Sequence, residues 1–146
     1  MAIKESTQVE VYNNISNRVG FSLTNGLKVN LDRNGQVRKV KVEDLAFLMS
    51  VAPAMLTEGI LFIKNEEVRE YLGITNFYEN GSIVASDKLD EILEQSASDL
   101  KETVEKASHT ARKEIAKKAS KKADELTGAQ VKAIEKGTKT EITEKV

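Results

Sequence analysis

The stretch SASDLKETVEKASHTARKEIAKKASKKADELTG, Ser96 to Gly128, decides how this chain is read. It carries one histidine, no cysteine and no aromatic residue. Starting just upstream, Leu93, Ala97, Leu100, Val104, Ala107 and Ala111 are spaced 4, 3, 4, 3 and 4, which is a heptad seam. Ile115, Ala119, Ala123 and Leu126 continue it in steps that drift around a helix. The spacing predicts one long charged helix from about Asp99 to Leu126, roughly 42 Å at ~1.5 Å per residue, stopped by Gly128. The alanines bury little area, so such a helix is marginal alone and calls for a partner surface. Leu93, Ala97, Leu100, Val104, Ala107, Ala111, Ile115 and Ala119 are therefore the candidate protein interface.

Downstream, Thr127 and Gln130 have capping-box spacing, which predicts a short terminal helix AQVKAIEKG ended by Gly137. The tail TKTEITEKV, 138–146, has little to fold with and is expected to be loose. Upstream, the composition changes near Ser86. Every aromatic residue and the only proline, Pro53, lie before it.

That first part reads as strands, then short helices. QVEVYN (8–13), RVGFSLTN (18–25) and LKVNL (27–31) alternate apolar and polar residues, as half-buried strands do. Asn25-Gly26 and Asn34-Gly35 are hairpin signals, the second leading into QVRKVKV (36–42), so a small antiparallel meander is expected. EDLAFLMSV (43–51) reads as a helix with Leu45, Leu48 and Met49 inward, ended by Pro53. GILFIKN (59–65) reads as a strand leading to Asn65 as N-cap of EEVREYL, with Gly73 closing that helix. The expected fold is α+β: a docking domain over 1–80, a connector over 81–86, a helical interaction region over 87–137 and a tail.

Composition narrows the function. The chain has 146 residues, 40% hydrophobic and 31% charged but only 5% aromatic, enough for one modest domain and an appendage. Without cysteine there is no disulfide and no thiolate metal site. MAIKESTQVEV lacks the apolar core of a signal peptide, and no apolar run approaches the ~20 residues that span a bilayer, so cytoplasmic synthesis and no membrane are expected. His109 has no second histidine or cysteine with which to share a metal, and it reads as an exposed helical residue. Glu66-Glu67 and Asp90-Glu91 fit helix first turns better than an acid/base pair, which would need a pocket to separate their pKa values. Gly-rich phosphate motifs are absent, and DRNGQV lacks the acidic spacing of a calcium loop. No catalytic residue, metal or cofactor is expected; the enzymatic alternative is a small enzyme or regulator with its pocket in the β-unit.

The charges of the long segment are segregated. Asp87 to Glu105 holds seven acids against two lysines; Arg112, Lys113, Lys117, Lys118, Lys121 and Lys122 then face Glu114 alone. Acids early and bases late complement a helix dipole. Two further readings are an antiparallel pairing with a second copy and a basic end lying on nucleic-acid phosphates, though without stacking aromatics.

The order VEVYNNISNRVGFSL, KVKVEDLAFL, GILFIKNEEVREYLGI and LTGAQVKAIEKG resembles a group of small proteins encoded by tailed bacteriophages among their particle genes. The matching residues are Asn65 to Ile74 together with Thr127, Gly128, Val131, Ala133 and Ile134, and the similarity spans roughly residues 8 to 137. The chain departs from that pattern in its charged middle segment. The resemblance implies a virion structural protein, a decoration, auxiliary capsid or neck component, with capsid, portal or neck proteins as partners.

Overall fold

The computed structural model describes residues 4–139. The protein is α+β, with antiparallel pairing throughout. Its strands are β1 (Gln8–Asn13), β2 (Val19–Ser22), β3 (Lys28–Leu31), β4 (Val37–Lys41) and β5 (Leu61–Ile63). Alternation sends Val9 and Val11 of β1 and Val19 and Phe21 of β2 into the core.

The strand order is not a meander. β1 lies at the centre of a three-stranded sheet, between β4 and β5, while β2 and β3 form a separate hairpin. Val9 faces Val40, and Tyr12 faces Val37 on one side and Phe62 on the other. Asn25-Gly26 does turn the β2–β3 hairpin, with Gly26 at φ 85°. Asn34-Gly35 instead passes the chain between the two sheets, and the Gly35 N–H donates to Asn13 O. Asn13 is fully buried; its side-chain amide donates to Asn17 O and Leu31 O, which ties the hairpin to the central strand. Local alternation fixed the strands, but the non-local pairing depends on that buried amide and on core shape.

Helices α1 (Val42–Val51), α2 (Ala54–Thr57), α3 (Glu66–Leu72) and α4 (Thr75–Glu79) complete the first unit. Leu45 and Leu48 point inward as expected, and Asp44 is buried because Thr24 N–H and Oγ1 both donate to its carboxylate. Asn65 caps α3 by accepting from Val68 N at 3.1 Å, and Gly73 ends it at φ 74°.

The long helix is divided. Residues 96–128 form α6 (Ala97–Lys106) and α7 (His109–Lys121), joined at a sharp break, with α5 (Leu89–Leu93) before them and α8 (Gly128–Thr138) after. Ala107 and Ser108 are extended, at ψ 146° and 166°. Ser108 Oγ accepts from Ala111 N and caps α7, as Ser96 caps α6. Arg112 folds back across the break, donating from Nε to Val104 O and from Nη2 to Glu105 O, so it satisfies the carbonyls that end α6.

The Thr127–Gln130 capping box starts α8 as expected. Gly128 opens that helix and does not stop the previous one, which ends at Lys121. Gly137 is likewise inside α8 and not its stop. A Cβ there would overlap Val104 Cγ1, so this glycine lets α8 approach α6 closely. Thr138 closes α8; the rest of the expected loose tail, 140–146, lies outside the described residues.

Two hydrophobic clusters result. One gathers Val11, Leu31, Leu45, Leu61, Ile63 and Ile74; the other gathers Leu93, Leu100, Val104, Ile115, Ala119 and Ile134. Tyr78 belongs to the first and Val84 to the second, and Ile83 between them is buried against Gly59.

Candidate functional site

The residues first suspected of forming an interface are mostly inside the protein. Leu93, Leu100, Val104, Ala107, Ala111, Ile115 and Ala119 are buried in the second core, and Ala97 is half-buried. Helices α6 and α7 both pack on α8, which contributes Ile134 and the half-buried Val131. The partner surface that the thin seam calls for is supplied by the chain itself.

The basic set is largely engaged. Arg112 is held by the end of α6. Lys117 pairs with Glu114 at 3.4 Å and donates to Ser16 Oγ. Lys118 and Lys122 converge on Asp90 at 3.6 and 2.7 Å. The hydrogen bond from Lys122 pulls the Asp90 carboxyl below its usual value, and Asp90 in turn raises Lys122. Only Lys113 and Lys121 of the six make none of these contacts, and they are eight positions apart. That arrangement is poor as a phosphate-tracking stripe. His109, the first residue of α7, is exposed, and no group of three His, Cys, Asp or Glu side chains suited to a metal occurs among the described residues.

The two cores meet through polar groups. Asn14, 7% exposed, donates to Gly59 O and Val84 O and accepts from Ser86 N. The Glu58 carboxylate accepts from Thr110 N and Oγ1 at the start of α7, while Ser108 Oγ donates to Glu58 O. Glu114, its side chain 12% exposed, accepts from Ser16 N at 2.7 Å. Between them lies a cavity of about 10 Å³ bordered by Asn14, Glu58, Thr110 and Glu114, room for one water molecule at most. This joint fixes the halves to each other and leaves no room for a substrate.

On the outer face of the three-stranded sheet, Tyr12, Phe62 and Lys64 border an open groove of about 240 Å³. The protein's own cations occupy the ring faces. Lys64 Nζ lies 4.7 Å from the Tyr12 centroid, and the Arg69 guanidinium lies 3.9 Å from Tyr78 and 5.4 Å from Phe62. Burial pushes the Tyr78 phenol above its ordinary value, so its hydroxyl stays protonated beside Ile63 N–H, from which it accepts.

The surface feature that sequence reading missed is on α1. Phe47 and Val51, one turn apart, are 38% and 60% exposed. Ala46, Ser50, Pro53 and Ala54 are exposed beside them. The signal was present in LAFLMSVAPAMLT, Leu45 to Thr57, thirteen residues without a charge in a chain that is 31% charged. No helix among the described residues is long and apolar enough to cross a membrane. Comparison of the chain with protein-family models, with curated proteins and with solved structures finds no match.

Proposed function

We propose that this chain is a non-enzymatic structural protein of a tailed-phage particle, a capsid-associated decoration, auxiliary or neck component. It docks on other virion proteins through the outer face of α1. The observation that carries this reading is on α1, where Phe47 and Val51 stand exposed one turn apart within a thirteen-residue stretch free of charge; the other large apolar side chains left outside the two cores, Leu27, Val37 and Tyr71, are scattered over the β-unit and α3. Exposed aromatic and aliphatic side chains without intervening charge have the composition of a protein–protein contact centre. The seam of α6 and α7 plays no part, because it is consumed internally.

The test is quantitative mass spectrometry of density-purified particles of the phage that encodes the chain. A fixed number of copies per particle is expected, and a protein left wholly in the soluble lysate refutes the reading. Phe47→Glu with Val51→Glu should fold but fail to incorporate. Normal incorporation of that variant would move the docking surface elsewhere.

A further inference from the structure

The two edges of the three-stranded sheet are treated differently. On the β5 side, the outward groups of Ile63 are closed: its N–H donates to Tyr78 Oη at 3.0 Å and its carbonyl accepts from Arg69 Nε at 2.6 Å. Arg69 is itself stacked on Tyr78, so the closure is rigid. On the β4 side the only such contact among the described residues is at its start, where Arg38 Nη1 donates to Val37 O at 3.2 Å. Val42 N donates to Thr7 O and Asn13 N donates to Gln36 O, which places the β1–β4 bonds on Val9/Val40 and Val11/Arg38 by alternation. Val37, Lys39 and Lys41 therefore turn their N–H groups outward. Among the described residues no strand pairs with that edge, and four of the five β4 residues are exposed. The N–H and carbonyl of Lys39 and the N–H of Lys41 form an open ladder.

The side chains along this ladder define what fits it. VRKVK, Val37 to Lys41, presents Arg38, Lys39 and Lys41. Nearby acids offset them only in part: Glu43 is 3.9 Å from Lys41, and Glu10, opposite Lys39 on β1, is hydrogen-bonded by Tyr12 Oη. A second copy cannot pair here without stacking these cations against their own images, which is the usual protection of an edge. The same charges favour an extended strand with carboxylates at alternate positions.

We propose that the outer edge of β4 is an acceptor for an extended acidic segment of a partner protein, which adds a fourth strand next to β4. This surface is separate from the α1 face, and the inference stands whether or not the chain belongs to a phage particle.

The probe is an end-capped Val-Glu-Val-Glu-Val-Glu-Val peptide titrated into the isotope-labelled full chain by NMR, beside its Val-Lys counterpart. Perturbed amides should map to β4 and β1, and the Lys39 amide should exchange at least tenfold more slowly with peptide bound. Binding should weaken as salt rises, and the lysine peptide should not bind. Lys39→Pro removes one outward N–H without touching the β1 ladder and should weaken binding tenfold or more. In case that variant misfolds, Lys39→Glu with Lys41→Glu should reverse the preference toward the lysine peptide. The proposal is overturned by perturbations that map away from β4, by salt-independent or equal binding of the two peptides, by no binding at about 1 mM peptide, or by a folded Lys39→Pro variant that binds as the parent does.

Discussion

Ser108→Ala tests the break between α6 and α7 by the sign of its effect. Ser108 Oγ accepts from Ala111 N at 3.1 Å as the N-cap of α7, and it donates to Glu58 O at 2.9 Å across the joint between the two cores. Losing the cap costs about 1 kcal/mol. Leaving the Glu58 carbonyl without its donor costs about 1 kcal/mol more. The total, about 2 kcal/mol, corresponds to a fall in Tm of roughly 6 °C for a chain of this size. Ser96→Ala is the internal control. It removes only the 3.2 Å bond to Asp99 N at an exposed helix start, and should cost about half as much or less. Were the segment one continuous helix, position 108 would be interior and Ser→Ala would raise stability by about 0.5 kcal/mol. Urea unfolding followed by far-UV circular dichroism, with equal slopes for all three proteins, gives the comparison. A Ser108→Ala protein as stable as the parent would refute the break, and one no less stable than Ser96→Ala would refute the bond across the joint.

The two glycines of α8 should respond in opposite directions to the same change. Gly128→Ala meets nothing within 4 Å and should raise the unfolding midpoint slightly, whereas Gly137→Ala drives a methyl into Val104 and should lower it by the equivalent of about 1–2 kcal/mol. Asn14→Leu strips partners from Gly59 O, Val84 O and Ser86 N and should cost about 3 kcal/mol by denaturant titration; a loss below ~1 kcal/mol would show that water replaces the amide. The Asp90 carboxyl is held below its ordinary value of 3.8, so its contribution is complete above that pH and is lost as pH falls through the lowered folded value. Lys122→Met should move the Asp90 titration upward in an NMR pH series; an unmoved titration would contradict the 2.7 Å pair.

What the sequence disclosed was local. The alternating strands, the Asn65 and Thr127 caps, Gly73 as a left-handed stop and the inward Leu45 and Leu48 all depend on residues within a few positions of each other. Strand order did not follow, because β1 pairs with strands about 30 and 50 positions away and no short-range rule ranks those partners. The break at Ser108 was hidden by the seam. Ala107 and Ala111 keep a helical spacing of four although only the second is in a helix, and position 111, three after the Ser108 cap, holds alanine where a capping box has Glu or Gln. Arg112 counted as a basic surface residue on composition; only the folded path of α6 shows that it is spent on carbonyls. The inward set Leu45, Leu48 and Met49 leaves Phe47 and Val51 on the opposite side of α1, and their exposure depends on no other element covering that face.

The alanine seam also explains why the second core needs so few large side chains. Ala111, Ala116 and Ala119 on α7 and Gly137 on α8 are small where helices meet, so backbones approach closely and Leu100, Val104, Ile115 and Ile134, with Leu89, Ile92 and Leu93 from α5, fill the centre. A straight helix carrying the same residues would spread them along ~42 Å, well beyond the reach of the eleven-residue α8, which is ~17 Å long. Breaking it at Ser108 brings the α6 and α7 portions of the seam onto α8 together. The break leaves the start of α7 with free N–H groups, and Glu58 from the first unit accepts from one of them at Thr110. The same serine therefore closes the helical core and binds it to the β-unit, and the charged faces that suggested an adhesive rod are what remain on the outside once that core is made.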